Sequence, residues 1–491
     1  NVINNTFYQN KNSIKLNLDI MSNWTARSIS NNIFCNDVTG IYVIDHTTTG
    51  QTAIYPQISN NISYTNTTNY YTEYTDSGKQ GSNGPFTPNP SNIEENPHFV
   101  KASVGNFYME LDSYAYTHNI GRQYQLISNE LADGTIETYD SFGLLLKTEK
   151  SGEPTIIYHY LNGVADEYVK VFSDGSKEAY DMLGKKRYSV TPGGQKTIYV
   201  GSEYSYLSVQ EAINAAASGD TISISAGIFN LTSPVVIDGS LGKTNLTIIG
   251  AGKRDTIMDG NNTATVQKAI DIKNGAVVTI KDLTVKNAVL YNIFAAGAGT
   301  NVTVESCRIT GGQYGVYVSN ATNVTLFRNE IFGTGYGVYV VSSGGSISNN
   351  SIVNNSTGIL SAATPSLNIH HNIIAYNSVF GIRKLTGTTN LGFNNAYNPG
   401  GTNYSGCTNG STDRVNVDPR FVDKANNNFY LEADSSILLA DIGALLETDY
   451  IVTHPDANTT EWRDKFNHIF KKIAVNPNET TVYHYTNGQI G

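Results

Sequence analysis

The feature that most restricts the fold is a short repeat between positions 275 and 400. Short β-branched segments recur there, and each contributes one aliphatic residue to a common position: Ile280, Val304, Leu326, Ile347, Ile369 and Leu391. The steps between these anchors are 24, 22, 21, 22 and 22. A second short segment that begins with glycine follows most anchors, as at 315–318 and 337–340. Several short strands in each period of this length are typical of a β-solenoid.

Asparagine recurs at a fixed distance from the anchors. Three residues after the last four anchors stand Asn329, Asn350, Asn372 and Asn394. Equivalent residues of a parallel coil stack about 4.8 Å apart, so these amides are expected to bond to one another and to accept left-handed turn geometry. The same spacing joins three apolar residues near the start to three asparagines: Val2, Ile29 and Ile58 to Asn5, Asn32 and Asn61. We therefore predict an asparagine ladder beside an aliphatic column in both regions.

Three further segments carry a resemblance to a known family. Residues 206–216 have the pattern of a short helix, with Ser208 and Glu211 in capping-box positions. The segments Thr-Ile-Ile-Gly-Ala-Gly at 247–252 and Asp-Pro-Arg-Phe-Val at 418–422 come later. With these segments and the short repeat, residues 196–443 resemble the right-handed parallel β-helix proteins of the pectate-lyase-like class. The resemblance implies a helix that covers the N-terminal end of the coil, but it implies no particular activity, because this fold hosts many roles.

The predicted fold class is all-β: a right-handed parallel β-helix with a second, partial β-helix and a hairpin-rich linker. Residues 1–121 are expected to be the distal part of one coil, and 196–443 a coil with its capping helix. In the linker, 122–195, similar sequences surround the Asp-Gly turns at 133–134 and 174–175, which indicates hairpins. The linker resembles the tyrosine–aspartate (YD-type) repeats of large exported proteins.

The last segment, 444–491, is expected to hold a helix and a partial hairpin that begins a further linker. The helix is predicted because apolar residues follow helical spacing and Thr459 or Thr460 precedes them as a cap: Trp462, Phe466, Ile469, Phe470 and Ile473. Such a helix would pack on its own coil.

A much longer repeat relates the two halves of the chain. The segment at 106–112 returns at 428–434, and the segment at 158–163 returns at 483–488 with almost the same offset. The chain is therefore expected to start partway through one copy and to stop partway through another. We expect this phase in a segment of a surface array or filament, whose units associate head to tail or continue in the same chain.

Composition limits the partners. The net charge of −10 argues against nucleic acid, and the sequence has no run of eighteen apolar residues that could span a membrane. N-glycosylation sequons are frequent and favour an extracellular, cell-surface location. The candidate glycosylation sites are Asn4, Asn23, Asn66, Asn230, Asn245, Asn261, Asn301, Asn320, Asn403, Asn409, Asn458 and Asn478.

No set of catalytic residues is predicted. Relatives of the resembling class that cleave acidic polysaccharides use clustered aspartates or acidic calcium ligands, whereas Glu305 and Glu330 are the only carboxylates from 285 to 412. Glu330 stands one period after Arg308, which predicts an ion pair. Neither a cofactor nor a metal is assigned, although calcium remains the weaker alternative near four aspartates: Asp255, Asp259, Asp271 and Asp282.

Two other pairs are candidates for contact or chemistry. Tyr317 and Tyr339 each follow an inward valine, so both are expected on the outer surface, where they contact a carbohydrate or another subunit or simply stack on each other. His370 and His371 are adjacent in a predicted strand, so only one of them should face outward.

The leading hypothesis is therefore an extracellular structural or adhesive surface protein, a repeat unit of a filament or array, with surface polysaccharide as a second candidate partner. An exported polysaccharide lyase or glycoside hydrolase and a phage or virus fibre protein are the alternatives.

Overall fold

The computed structural model describes residues 126–161 and 164–432 continuously, and separate parts of the rest. Those parts are short strands before residue 110 with Asn32 and Asn61, Thr117, and the ranges 435–440, 442–444, 451–464, 468–475, 478–483, 485–486 and 489–490. The chain divides into two compact units, Asn1–Pro192 and Gly193–Gly491.

The second unit is a parallel coil in which each turn contributes strands to three sheets, named here A, B and C in the order the chain visits them. Sheet A contains Lys196–Val200, Thr221–Ile224, Leu246–Gly250, Val277–Lys281, Asn301–Glu305, Asn323–Phe327, Gly344–Ser348, Thr364–His370 and Gly387–Gly392. Sheet B contains Gly227–Asn230, Thr256–Asp259, Thr284–Lys286, Arg308–Thr310, Glu330–Phe332, Ser351–Val353, Ile373–Ala375, Asn395–Tyr397 and Arg414–Val415. Sheet C contains Val235–Asp238, Lys268–Lys273, Tyr291–Ala296, Tyr314–Ser319, Tyr336–Val341, Thr357–Ala362, Phe380–Lys384 and Thr402–Ser405.

The core of the coil is built from inward aliphatic columns, one for each sheet. The six predicted anchors of sheet A pair in register from Ile280 to Leu391, and the first five are completely buried. Burying one such side chain contributes about 1.5–3 kcal/mol. Burial of the repeated aliphatic residue therefore favours a coil of stacked turns. The predicted all-β solenoid is confirmed.

One helix, Val209–Ala215, lies beside the first strands of sheets A and C. Ser208 caps it, and Glu211 completes the predicted capping box. Val209, Ala212 and Ile213 are buried, so the helix covers apolar side chains of the early turns.

The C-terminal part of the coil folds back over the outer face of sheet B. This strap, the described residues 417–432, 435–440 and 442–444, contains the antiparallel pair Phe421–Asp423 and Asn428–Leu431 and the short 3-10 helices Lys424–Asn426 and Leu438–Ala440. It forms a second apolar core with outward residues of sheet B: Phe332, Val353, Ile373 and Ala375.

The helix predicted between 459 and 473 is wrong, because the structure has an antiparallel sheet of Ile451–Asp456, Thr459–Arg463, Ile469–Val475 and Asn478–Val482. The helical spacing continues across a turn between two of these strands. In that turn the backbone N–H of Asp464 bonds to the carbonyl of His468, and its carboxylate accepts the N–H of His468. Phe466 lies outside the described residues.

The turn at Asp464 has counterparts in the linker, where Asp140 and Asp181 hold equivalent turns. The linker and the last segment are thus built alike, whereas the predicted helix would have made them different. A last pair of short strands, Tyr485–Thr486 and Gln489–Ile490, is antiparallel.

The first unit combines parallel and antiparallel strands. Val2–Ile3, Ser28–Ser30 and Gln57–Ser59 are parallel, with Val2, Ile29 and Ile58 in register. Two further parallel sets are Thr6–Tyr8, Ile33–Cys35 and Ile62–Tyr64, and Asn12–Leu18, Thr39–Asp45 and Thr68–Tyr74. Short antiparallel pairings join Gly84–Pro85 to Thr68–Tyr74 and Phe99–Lys101 to Asn106–Met109.

The predicted hairpins of the linker form one antiparallel succession: Ile127–Glu130, Ile136–Tyr139, Leu145–Glu149, Thr155–Leu161, Val164–Val171, Lys177–Asp181 and Lys186–Val190.

Candidate functional site

The middle strands of sheet C each turn two aromatic residues outward, three positions apart. In Tyr314–Ser319 the residues Gly315, Val316 and Val318 are buried, while Tyr314 and Tyr317 remain partly exposed. The glycine is required, because a Cβ atom at Gly315 would lie 2.5 Å from a backbone oxygen of the next turn. In all three strands the second and third residues are both buried, so alternation is interrupted and positions one and four lie on the same outer face. The second residue is glycine in two of these strands and Asn292 in the third.

Stacking of successive turns converts this pattern into a surface of six rings, here called the aromatic face. Its two columns are Tyr291, Tyr314 and Tyr336, and Phe294, Tyr317 and Tyr339. In the first column the ring centroids are 4.9 and 5.2 Å apart and the ring planes differ by 17° and 12°. In the second they are 5.5 and 5.2 Å apart, with Tyr339 turned edge-on to Tyr317.

Ring orientation limits what the aromatic face can bind. Most ring faces are directed at the neighbouring turn, so edges and hydroxyl groups are left toward solvent. Burial and the neighbouring tyrosines raise the pKa of Tyr314 and of Tyr339, so both stay neutral hydroxyl donors. The arrangement is suited to packing against another protein surface, and less suited to face-on stacking of a sugar ring.

Charged residues border the aromatic face at its N-terminal end. The ammonium group of Lys268 lies 3.7 Å from the centroid of the Phe294 ring and 3.1 Å from a carboxylate oxygen of Asp271. A cation over a ring face adds about 0.5–1 kcal/mol when exposed. At the opposite end of the aromatic face, the column that contains Tyr339 continues through Leu360 to Arg383. The guanidinium group of Arg383 lies over the Phe380 ring.

Two of the six rings, Tyr317 and Tyr339, come from the sequence prediction, and the structure places both on the outer side of sheet C as partly exposed residues. Strict alternation from the inward valines missed Tyr314 and Tyr336. The signal that could have found them is the repeated Tyr-Gly-Val-Tyr segment, because glycine inside a strand often marks a bulge or a close backbone approach, where alternation is interrupted.

The four asparagines expected as a ladder lie in one buried column. The Nδ2 atom of Asn329 donates to Oδ1 of Asn350 at 2.9 Å, and the same bond joins Asn350 to Asn372 and Asn372 to Asn394. Asp413 accepts the last bond. In the first unit Asn32 donates to Asn61 at 3.0 Å, whereas Asn5 lies outside the described residues. A second column, which was not predicted, runs through Thr334, Asn355, Asn377, Asn398 and Asn403.

The residue before each ladder asparagine has left-handed backbone geometry. The sequence had predicted this geometry for the asparagine itself. The φ angles of Arg328, Asn349, His371 and Phe393 lie between 52° and 57°. The ladder residue is instead constrained by its buried amide, which a longer or charged side chain could not replace.

The described glycosylation candidates differ in accessibility. Asn230, Asn245, Asn261, Asn320, Asn409 and Asn458 are exposed. Asn301 is partly buried, and so is Asn403, whose side chain ends the second ladder. Asn4, Asn23 and Asn66 lie outside the described residues, as does the side chain of Asn478.

Acidic residues of the coil lie in register with basic ones. Four such pairs join neighbouring turns: Asp238 with Lys273, Asp259 with Lys286, Lys281 with Glu305, and Arg308 with Glu330. Within the described part of the chain, no three potential metal ligands come together, and the aspartates considered for calcium are not gathered into one site. Three of these four pairs are in ion-pair contact: Asp238 with Lys273 at 3.7 Å, Asp259 with Lys286 at 2.9 Å, and Glu330 with Arg308.

Glu330 is the most strongly paired of these acids. It is fully buried, its oxygens lie 3.0 Å from Nζ of Lys253 and 3.3 Å from Arg254, and it accepts a bond from Arg308. Burial alone would raise the pKa of this carboxyl, but the three cations lower it to about 2. Since Arg308 also donates to the carbonyl of Asn427, the cluster joins the loop at 251–255 to the strap. The predicted Arg308–Glu330 pair is therefore part of a buried network.

The histidine pair departs from expectation. His370 ends a strand of sheet A, but His371 has left-handed geometry, which breaks the alternation. Both imidazole rings therefore lie on the same side of the turn and contact each other.

Comparison with known proteins supports the fold. Residues 247–411 match the family model described as the right handed beta helix region, so the coil is a right-handed parallel β-helix. No curated protein matches the chain. No helix among the described residues is long and apolar enough to cross a membrane.

Several solved structures are similar at low identity. Alginate lyase AlyGC is 13% identical over 79% of this chain and 69% of its own, with a TM-score of 0.29. Pectin methylesterase from Aspergillus niger is 13% identical over 47% of this chain and 92% of its own, with a TM-score of 0.27. Geobacillus virus E2 ORF18 is 14% identical over 57% and 74%, with a TM-score of 0.23. Likeness at this level carries no argument about activity.

Proposed function

We propose that the protein is an extracellular structural or adhesive surface protein, in which the β-helix is the building element of an array or filament. The aromatic face is the observation that carries this proposal. Six partly exposed rings on three consecutive turns form an apolar surface of the kind that marks interaction sites on soluble proteins.

The occupant that fits this surface best is another copy of the protein. The ring faces already contact each other, so a partner meets their edges and hydroxyl groups. Charge on the face is confined to its ends, and Lys268 is already paired with Asp271. A second copy with the same surface would meet little charge between the two ends of the face.

The carboxylates of the coil favour this role over polysaccharide cleavage. Glu330 is buried among three cations, and Asp259 and Asp271 lie within 3.1 Å of a lysine ammonium group. Their charge is compensated by lysine or arginine, which favours a structural role for these three carboxylates.

The test compares the full chain with the double variant Tyr317→Ser and Tyr339→Ser in three measurements: sedimentation velocity, binding to a panel of surface polysaccharides, and depolymerisation of pectin and alginate. We expect concentration-dependent association in the parent that weakens at least tenfold in the variant. Phe142→Ser is the matched control, because Phe142 is a 62% exposed aromatic residue in a hairpin turn of the first unit.

Each other outcome changes the assignment. Polysaccharide binding lost in the double variant, without self-association, would replace the second copy by a glycan. Cleavage of pectin or alginate would move the protein to the lyase or hydrolase class. A parent that stays monomeric and binds no polymer would overturn the proposal.

A further inference from the structure

The first strand of sheet B, Gly227–Asn230, has a free edge. Among the described residues, this strand pairs with another strand on one side only, that of the next turn. Gly227 and Leu231 donate their backbone N–H groups to carbonyls of that turn. Because backbone groups alternate in direction along a strand, the N–H and C=O groups of Ile228 and Asn230 are directed to the open side.

A groove of about 440 Å³ lies along this free edge, within the size range of ligand sites. Its other wall is the segment that leads into the helix, with Leu207, Ser208 and Val209. Phe229 also lines the groove and is partly exposed, whereas Met258, its partner in the inward column of sheet B, is completely buried. The helix lies beside sheets A and C, so at sheet B the end of the apolar core is accessible through the groove.

The chemistry of the groove favours an uncharged occupant. None of the residues that line it is charged, and Leu207 and Ile228 on its two walls are 62% and 61% exposed. Sheet edges are usually protected by lysine or proline, and the strand Gly227–Asn230 contains neither. At the opposite edge of sheet B, the last strand begins with Arg414. The free edge at Ile228 is therefore suited to pairing with another strand.

We propose that this groove binds an extended, uncharged peptide segment of a partner protein, which adds to sheet B as a further strand. Main-chain hydrogen bonds to Ile228 and Asn230 hold the segment, and one of its apolar side chains covers Phe229 at the end of the core. A small apolar molecule would leave the backbone groups of the edge unpaired, and a charged segment would lose water without gaining an opposite charge. The inference goes beyond the proposed structural role and does not depend on the aromatic face.

The experiment titrates the full chain with the uncharged, end-blocked peptide Thr-Val-Ile-Val-Thr and follows binding by saturation-transfer NMR. The chain is produced without glycosylation, because Asn230 borders the groove and is also a glycosylation candidate. We expect the peptide to bind the parent, and Ile228→Lys to weaken binding at least tenfold because it places a charge on the groove wall. Leu241→Lys is the matched control and should leave the affinity unchanged, since Leu241 is 72% exposed and does not line the groove.

Two N-methylated forms of the peptide test the main-chain hydrogen bonds. Alternate N–H groups of an added strand face the sheet, so methyl groups on the third and fourth residues block both possible phases. Methyl groups on the second and fourth residues leave one phase intact, so this form should still bind. A parent that binds no peptide, equal binding of the two methylated forms, or an affinity that Ile228→Lys leaves unchanged would each contradict strand addition.

Discussion

The outer faces of sheets B and C are both apolar, but they differ in how much of their surface is exposed to solvent. On sheet B the outward residues Phe332, Val353 and Ile373 are at most 5% exposed, because the strap at 417–444 lies over them. On sheet C the rings of the aromatic face remain partly exposed. The covered face carries mainly aliphatic side chains, which are shielded from water only because another segment covers them. The open face carries tyrosines, whose hydroxyl groups can remain in contact with water. The difference places one face in the stabilising core and leaves the other partly exposed to solvent, which the proposed contact role requires.

The largest expected loss in the free energy of unfolding comes from substituting Glu330, which lies where the strap meets sheet B. Glu330→Gln removes the negative charge that compensates Lys253, Arg254 and Arg308 beneath the strap. Removing one partner of a buried ion pair costs about 3–5 kcal/mol, because the remaining charges stay desolvated. Urea denaturation of the variant should show this loss in the free energy of unfolding. Glu305→Gln, on the outside of the coil, is the control and should change it by less than about 1 kcal/mol.

The same carboxyl predicts the acid sensitivity of the covered face. Its pKa falls from an ordinary value of 4.5 to about 2 in the folded protein. A carboxyl with a lowered pKa stabilises the fold above its unfolded pKa, and this contribution, about 3 kcal/mol, is lost as the pH falls from 4.5 toward 2. Denaturation midpoints of the parent should therefore drop steeply in this range, while those of Glu330→Gln change less. Parallel pH curves for the two chains would contradict the assignment.

A loss of equal size or less is expected when the strap itself is weakened. Phe429 is completely buried, and its ring centroid lies 5.1 Å from that of Phe332. Phe429→Ala should cost about 3–5 kcal/mol if the cavity does not collapse, and less if the strap adjusts. Unfolding monitored by circular dichroism measures this loss, and Phe142→Ala on an exposed turn should stay within about 0.5 kcal/mol of the parent.

The covered face was not predicted from the sequence, whereas the coil was. The anchors and ladder asparagines repeat the same residue type at a fixed spacing, and stacking in a parallel coil gives each position a single environment. The strap has no repeat, and its contacts with sheet B join residues that are far apart in the sequence, such as Ser351 and Ala444. No local pattern encodes such contacts.

Local patterns also failed where glycine or a turn interrupted the period. The alternation that places Tyr317 outward does not find Tyr314, because Gly315 and Val316 are both buried and the alternation is interrupted between them. The helical spacing around Trp462 continues across the turn that Asp464 stabilises, so a pattern typical of one helix covers two strands. In both cases backbone geometry changed the side-chain direction that the residue types alone had suggested.

The smallest effect on stability is expected on the open face, and this sharpens the comparison. Tyr336→Ser removes one ring that stacks on Tyr314 with centroids 5.2 Å apart. An aromatic pair contributes about 0.5–1.5 kcal/mol beyond its buried area, and the ring is only partly buried, so the free energy of unfolding should fall far less than in Phe429→Ala. Self-association measured by sedimentation velocity should weaken in the tyrosine variant and persist in folded Phe429→Ala at a temperature where both are native. A loss of stability equal to that of Phe429→Ala would mean that the rings of sheet C belong to the core, and the division between a stabilising face and a contact face would then be wrong.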